Sequence, residues 1–335
     1  MQSVCLMLGT EIMPFPRQDE ISLDEDGVGF ALRMAIANGL AFCDLAQHLA
    51  SPGHLYLPAT ACGSVAFMFG CTPARLRRAF VVRSFHHGAQ AADFLDHHFL
   101  RPYHLRQTHP QICPACIGEN HRALAAWSIG LVTACPKHGL RLRDRCQCGR
   151  PLCWRRPALD FCECGLSLTT RDQAAVVADA RELAVSSHVA DVLAAAPFPS
   201  AARSASCLPV GLGNLSIDTF LRVLWIFGIV DARQPQDHPN CANRCLSTEE
   251  SAAVVCRAFD RLVSLIARRP SREPIRLPIP ALRALYDECT TQDDLRCLSS
   301  LISRLHKLTP SKPLHRLITV DRQMSLFGDA DEPTA

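Results

Sequence analysis

Signatures of catalysis, secretion and membrane insertion are missing from this chain of 335 residues. It has no Gly-x-x-x-x-Gly-Lys-Ser/Thr phosphate loop, no Gly-x-Ser-x-Gly elbow and no His-Glu-x-x-His motif, so we do not expect an enzyme. The N-terminus lacks a basic segment and contains Glu11 and Pro14, which argues against a signal peptide. The longest apolar run, Phe220 to Val230, is shorter than the ~18 residues of a membrane span. These absences predict a cytoplasmic protein with no membrane partner.

Cysteine, by contrast, is abundant, with 18 residues. Four close pairs of metal-ligand residues occupy the middle of the chain: Cys113-Pro-Ala-Cys116, Cys135-Pro-Lys-His138, Cys146-Gln-Cys148 and Cys162-Glu-Cys164. A glycine follows each pair, and the phrase Gly-x-x-Leu occurs three times, ending at Leu142, Leu152 and Leu168. Glycine supplies the positive φ of a tight turn. The pattern therefore predicts repeated hairpin knuckles, each covered by its leucine.

Tetrahedral zinc takes four ligands, usually as two pairs separated by a loop. We assign the first two pairs to a Cys₃His site and the last two to a Cys₄ site, giving two closed, structural zinc ions. Cys153 is an alternative ligand of the second site. Disulfides or unligated core thiols could also account for the cysteines, but the chain is not a short secreted one and a histidine does not serve a disulfide. Cys241 and Cys245 form a further, isolated pair.

Charge is unevenly distributed although the net charge is only +3. The first 26 residues are acidic, whereas the zinc region is rich in arginine. Such a local excess suits phosphate contact, with a solvated basic face as the alternative. The candidate nucleic-acid contacts of this region are Arg141, Arg143 and Arg145.

Two helix-turn-helix units are predicted before the zinc region. In the first, a helix from Leu23 to Asn38 ends at Asn38-Gly39 and is followed by a helix from Phe42 to Leu49; an ordinary helical hairpin would give the same pattern. In the second, Gly63 to Phe69 leads through a turn to a helix from Pro73 to Val82, with Thr72 as N-cap. This last helix would present Arg75, Arg77 and Arg78 to a DNA groove, or pack against protein.

The rest of the chain gives weaker signals. The histidines between residues 86 and 109 match no standard ligand spacing and are interpreted as surface or half-buried side chains. We predict a short helix from His121 to Val132, anchored by Trp127. Further predicted helices run from Asp172 to Ala196, from Ile217 to Ile229 after Ser216, from Ser247-x-x-Glu250 to Ala267, and from Thr291-x-x-Asp294 to Lys307, with a linker near 197–213.

The predicted fold is mostly α-helical, with small zinc-ribbon or knuckle β-hairpins. Its expected divisions are an N-terminal helical domain with the helix-turn-helix units (1–108), a tandem zinc-binding module (109–170) and a C-terminal helical domain (171–335).

Together these features resemble the TniQ family over about residues 14–168. The points of match are Pro14-Phe15-Pro16 followed by Asp19-Glu20, the Asn-Gly turn, Trp127, and the series of Cys and His pairs with their Gly-x-x-Leu phrases. The chain departs from the family pattern at Asp24-Glu25-Asp26, where small or aromatic residues are usual, and in the Cys-x-Cys form of the second site.

The resemblance implies a non-catalytic accessory protein of a transposon, bacterial and acting at the nucleoid. Family members bind DNA or a targeting complex such as a CRISPR effector, some dimerise, and they bring an AAA+ ATPase and an integrase to the target site. The alternative functions are a stand-alone zinc-containing helix-turn-helix transcription regulator and, from another class, a zinc-dependent nuclease.

Overall fold

The computed structural model describes most of the chain. The described residues are 13–50, 56–86, 88–169, 175–194, 208–209, 211–229, 246–267, 279–289 and 291–308. The α-helices are α1 Gly27–Ala37, α2 Phe42–Leu49, α3 Cys62–Phe69, α4 Pro73–Arg78, α5 Pro114–Asn120, α6 Ala180–Ala194, α7 Ile217–Gly228, α8 Thr248–Ile266, α9 Ile279–Glu288 and α10 Gln292–Leu308. The strands are β1 Val82–His86, β2 Ala89–Phe94, β3 His97–Phe99, β4 Ala134–Cys135 and β5 Leu140–Arg141. The predicted fold class, mostly helical with small hairpins, is confirmed.

Helix α1 begins later than predicted, at Gly27 rather than Leu23. The side chain of Asp26 caps it by accepting the N–H groups of Val28 and Gly29, each at 2.9 Å. Burial raises the pKa of the Asp26 carboxyl to about 6. Gly39 has φ 74°, which confirms the predicted turn, and α2 has the predicted bounds.

The α3–α4 unit forms as predicted up to Arg78, but α4 does not reach Val82. The β-branched pair Val81-Val82 favours an extended chain, and Val82 pairs with Asp93 in the sheet β1-β2-β3. This antiparallel sheet lies in the histidine-rich stretch, where no strand was predicted.

The predicted helix from His121 to Val132 is also wrong. Only Ala125–Ser128 forms a 3₁₀ turn, and the chain then extends through Ile129 to β4. The side-chain amide of Gln111 donates to the carbonyls of Trp127, Ile129 and Val132, which an α-helix would not present together. Trp127 is nevertheless buried, as predicted.

Helix α6 begins at Ala180, eight residues after the predicted start. Val176 and Ala178 are extended instead, because their backbone bonds to the β4–β5 hairpin: the Arg141 N–H donates to the Val176 carbonyl and the Ala178 N–H to the Gly139 carbonyl. Residues 170–174, most of the predicted linker, and Cys241 and Cys245 lie outside the described residues.

The later helices begin where their capping residues predicted. Ser216 accepts the Thr219 N–H at the start of α7, and a complete capping box of Ser247 and Glu250 opens α8. Thr291 accepts the Asp294 N–H in α10. Helix α9 was not predicted. One cluster of buried apolar side chains runs from the N-terminal helices through the Cys-rich middle to α10, while the three-domain division stays a prediction.

Candidate metal centres and nucleic-acid interface

Two groups of metal-ligand side chains form in the described residues, and they contain the eight predicted residues. The first cluster is Cys113, Cys116, Cys135 and His138; the second cluster is Cys146, Cys148, Cys162 and Cys164. In each cluster the ligand atoms all lie within 4.8 Å of one another. The predicted pairing of ligand pairs is therefore the one that the fold brings together.

The first cluster has the dimensions of a tetrahedral site. The Sγ atoms of Cys116 and Cys135 are 3.5 Å apart, and the His138 Nδ1 atom lies 3.2 Å from the Sγ of Cys116 and 3.5 Å from those of Cys113 and Cys135. Zinc bonds of ~2.3 Å to sulfur and ~2.0 Å to nitrogen require edges of about 3.5–3.8 Å. A disulfide would need ~2.05 Å, so these sulfurs are not bonded to each other.

The chemistry of this cluster also suits a cation. Hydrogen bonds from Cys113 and then from Cys116 lower the pKa of the Cys135 thiol to about 2. The pKa of the Cys116 thiol is instead raised well above its usual range, because Cys116 shares hydrogen bonds with Cys113 and Cys135 and is buried. A divalent ion would replace these shared protons, since thiolate is the form that binds metal.

The two halves of the first cluster are built differently, contrary to the prediction of a knuckle at each pair. Cys113 is the N-cap residue of α5 and Cys116 lies within its first turn, while Gly118 is an ordinary helical residue. Cys135 lies on β4, and Gly139 turns the chain back with φ 65°. The site thus joins a helix N-terminus to a hairpin.

Glu119 is a neighbour of the first cluster that the spacing did not reveal. Its Oε1 atom is 3.0 Å from His138 Nε2, the ring nitrogen that faces away from the cluster. A carboxylate on the second nitrogen fixes the ring and its tautomer and makes the ligand more basic. The i, i+3 step from Cys116 to Glu119 along a helix was the available signal.

The second cluster is made of two copies of one knuckle. In each knuckle the backbone N–H of the closing leucine donates to the backbone carbonyl of an aspartate that lies two residues before the first cysteine. Leu152 donates to Asp144 and Leu168 to Asp160, both at 2.7 Å. Gly149 and Gly165 have φ 84° and 83°, and both leucines are buried, as predicted. The Cys146–Cys164 and Cys148–Cys162 Sγ distances are 3.8 and 3.9 Å.

Cys153, the alternative ligand, lies outside both clusters. It is half-buried, and burial raises the pKa of its thiol to about 11. The histidines of residues 86–109 join no candidate metal group in the described part of the chain. His98 is exposed, as predicted, and contacts Asp93 at 2.7 Å. His104 is instead buried, so the prediction of a surface or half-buried side chain is wrong for it, and burial lowers its pKa to about 3.

The six arginines predicted to contact nucleic acid fall into two classes. Arg75 and Arg77 on α4 are exposed, as is Arg145, which donates to the Gly149 carbonyl at 3.1 Å. The others, Arg78, Arg141 and Arg143, are partly buried. Arg78 pairs with Asp96 at 3.1 Å, and Arg141 pairs with the buried Glu182 at 2.6 Å.

The acidic N-terminal segment is used to hold the helices. Phe15 stacks on Phe69 with ring centroids 5.6 Å apart. Glu20 accepts both the N–H and the hydroxyl of Thr72, so the predicted N-cap position is correct but a carboxylate from another segment does the capping. Arg33 pairs with Asp19 at 2.8 Å and with the buried Glu25 at 2.9 Å. The Asp-Glu motif therefore ties the two helix-turn-helix units together.

A known protein family matches the part of the chain that contains these contacts. The TniQ family model matches residues 16–142, from the N-terminal motif through the first cluster. This stretch is a TniQ domain. The predicted resemblance is thereby confirmed, and the chain is a transposition-associated protein. No curated protein matches the chain. Among the described residues, no helix of the TniQ domain or beyond it combines the length and apolarity needed to cross a bilayer.

Proposed function

We propose that this protein is a target-selection adaptor of a transposon, which binds DNA or a targeting complex and recruits an AAA+ ATPase and an integrase. The observation that carries the proposal is the match of the TniQ family model to the segment that holds both helix-turn-helix units and the first cluster. In this proposal the protein has no turnover of its own, acts in the bacterial cytoplasm at the nucleoid, and recognises other macromolecules as a monomer or homodimer.

The eight clustered residues would hold two structural zinc ions. Each cluster already supplies four donors of the kind that zinc prefers, and the edges fit a tetrahedron of about zinc dimensions. When bound, the ions supply cross-links between chain segments and no reaction centre. The chain's own residues position the ligands: Gly turns shape three of the four ligand pairs, the start of α5 holds Cys113 and Cys116, and Glu119 orients His138.

A pull-down tests recruitment. The tagged chain is expressed with the genes that neighbour its own, and the nuclease-treated lysate is analysed by mass spectrometry. We expect the ATPase to be recovered with the parent chain and with Arg75→Ala/Arg77→Ala, but not with Cys135→Ser. Failure to recover ATPase or integrase, with binding of the chain to an operator beside its own gene, would instead support a transcription regulator.

DNA contact by α4 is tested by the salt dependence of binding. For a labelled duplex of mixed sequence, Arg75→Ala/Arg77→Ala should reduce the slope of log K against log salt by about one for each lost phosphate contact. Arg296→Ala, an exposed arginine on α10, is the matched control and should leave the slope unchanged. An unchanged slope for the α4 variant assigns that helix to protein packing.

A further inference from the structure

A β-hairpin follows the candidate recognition helix after a short turn. Helix α4 ends at Arg78, and β1 begins at Val82 and pairs with β2 up to the pair His86–Ala89. Helix, turn, helix and then hairpin is an order that none of the predictions anticipated, because the strands themselves were missed. The hairpin is therefore covalently close to the helix that carries Arg75 and Arg77.

The base of the hairpin is fixed to α4. The Leu95 N–H donates to the Arg78 carbonyl at 2.7 Å, and Arg78 also pairs with Asp96. Leu95 and Asp96 have φ 50° and 64°, a turn that side-chain-bearing residues adopt at a cost. Ala92 and Phe99 are fully buried beside this turn. Because the base is held by packing and by hydrogen bonds, the far end has a defined place relative to α4.

The far end of the hairpin is exposed and carries an aromatic residue, Phe85. Phe85 keeps 77% of its surface accessible, the largest value among the exposed large hydrophobic residues of the described chain. Its cross-strand partner Gln90 is exposed, as are Gly88 and Ala89. A single exposed apolar residue is common on protein surfaces, so Phe85 needs support from its surroundings.

That support comes from charge. Residues 45–92, which include α3, α4 and the hairpin up to the middle of β2, contain no Asp or Glu, although 32 such residues occur in the chain. Of the carboxylates from other segments that approach this region, Glu20 is bonded to Thr72, Asp93 to His98 and Asp96 to Arg78. The surface is thus suited to a polyanion over both the helix and the hairpin.

We propose that the β1–β2 hairpin is a DNA-binding wing, with Phe85 contacting the minor groove of duplex DNA beside the groove that α4 approaches. Apolar side chains on such extensions contact the minor groove and wedge between base steps, and a rigid hairpin delivers the ring with little loss of conformational freedom. The wing rests on the proposed DNA-binding function and adds a second contact that does not depend on phosphate charge.

The test measures binding of the full-length chain to a labelled mixed-sequence duplex by fluorescence anisotropy across a salt series. Phe85→Ala should weaken binding roughly fivefold or more, the lower limit for loss of an aromatic contact with a base, without changing the salt slope. Phe85→Trp should keep the parent affinity. Tyr286→Ala, at an exposed aromatic residue of α9, is the control and should bind as the parent does. Phe85→p-benzoylphenylalanine should photo-crosslink to the duplex.

Three outcomes would contradict the proposal of a DNA-binding wing, and they differ in whether the proposed DNA-binding function survives. If the parent binds duplex DNA and Phe85→Ala binds equally well, the wing is wrong and the DNA-binding function stands. If the cross-linking variant captures only protein in the presence of DNA and the ATPase, the hairpin is a protein contact. If the parent fails to bind duplex DNA at any salt concentration, the DNA-binding function and the wing fail together.

Discussion

The two clusters offer the same number of ligands but differ in how they are joined to the rest of the molecule. In the first cluster all three cysteines are buried, and its ligands come from segments 19 or more residues apart, one of which, β4, also contacts α6. In the second cluster Cys148 and Cys164 are exposed, and its ligands come from two similar knuckles adjacent in sequence. We infer that the first cluster organises the fold, whereas the second holds a local element.

The contacts of β4 explain why the first cluster should affect more of the fold than the second cluster does. Ser186 accepts the N–H groups of Thr133 and Ala134, and Glu182 accepts the Thr133 hydroxyl at 2.9 Å. Both acceptors lie on α6 and are fully buried. The hairpin that supplies Cys135 is therefore also the surface on which α6 docks.

The largest effect should come from the first cluster. Cys135→Ser removes a buried ligand, and binding of structural zinc contributes ~10–16 kcal/mol to folding in small zinc fingers. We expect zinc content to fall from two ions to one and the protein to lose its cooperative thermal transition, measured by elemental analysis and circular dichroism. Cys153→Ser, outside both clusters, should keep two ions. A folded Cys135→Ser protein with both ions would refute the ligand assignment.

The matched change in the second cluster should have a smaller effect. Cys164→Ser removes an exposed ligand of a knuckle whose partners are close in sequence. We expect the loss of one zinc ion and faster hydrogen exchange confined to about residues 144–168, while the helices stay folded. If Cys164→Ser unfolded the chain as completely as Cys135→Ser, the distinction between an organising cluster and a local one would be wrong.

The next largest effect should come from removing the polar contacts between the β4–β5 hairpin and α6. Glu182→Gln leaves the guanidinium of Arg141 without its carboxylate; removing one partner of a buried ion pair costs ~3–5 kcal/mol, and we expect the lower end because Arg141 is partly exposed. Denaturant unfolding measures the change. Asp191→Asn, at an exposed residue of the same helix, should have little effect. Equal stability of the two variants would show that α6 docks by apolar packing alone.

Local signals in the sequence predicted the parts of this fold that depend on neighbouring residues. The eight ligands, the positive φ of Gly139 and the capping box at Ser247 each follow from a spacing of a few residues. The cap of α4 shows the limit. Thr72 was correctly placed, but its partner is Glu20, 52 residues away, and no local pattern indicates that contact.

Several incorrect predictions share one cause, which is backbone pairing with another segment of the chain. Val82 fits the helical pattern of α4, but in the structure it pairs with Asp93 in the sheet. Val176 fits the pattern of α6, but its carbonyl accepts the backbone N–H of Arg141. Helical periodicity is a weak preference that long-range hydrogen bonds override. Likewise Arg141 looked like a free basic residue because Glu182, its partner, lies far along the chain.

A substitution of Glu119 should have the smallest of these effects, and it tests whether this residue raises the metal affinity of the first cluster. Glu119→Gln removes the charge beside His138 Nε2 without removing a ligand, and loss of such a contact lowers metal affinity by about 10–100-fold. Competition with a chromophoric chelator measures it, and the second cluster provides an internal reference. Glu119 also pairs with Lys137, so Lys137→Met is the control. If both variants weakened metal binding equally, the surface ion pair would account for the effect; if only Glu119→Gln did, the carboxylate acts through the histidine.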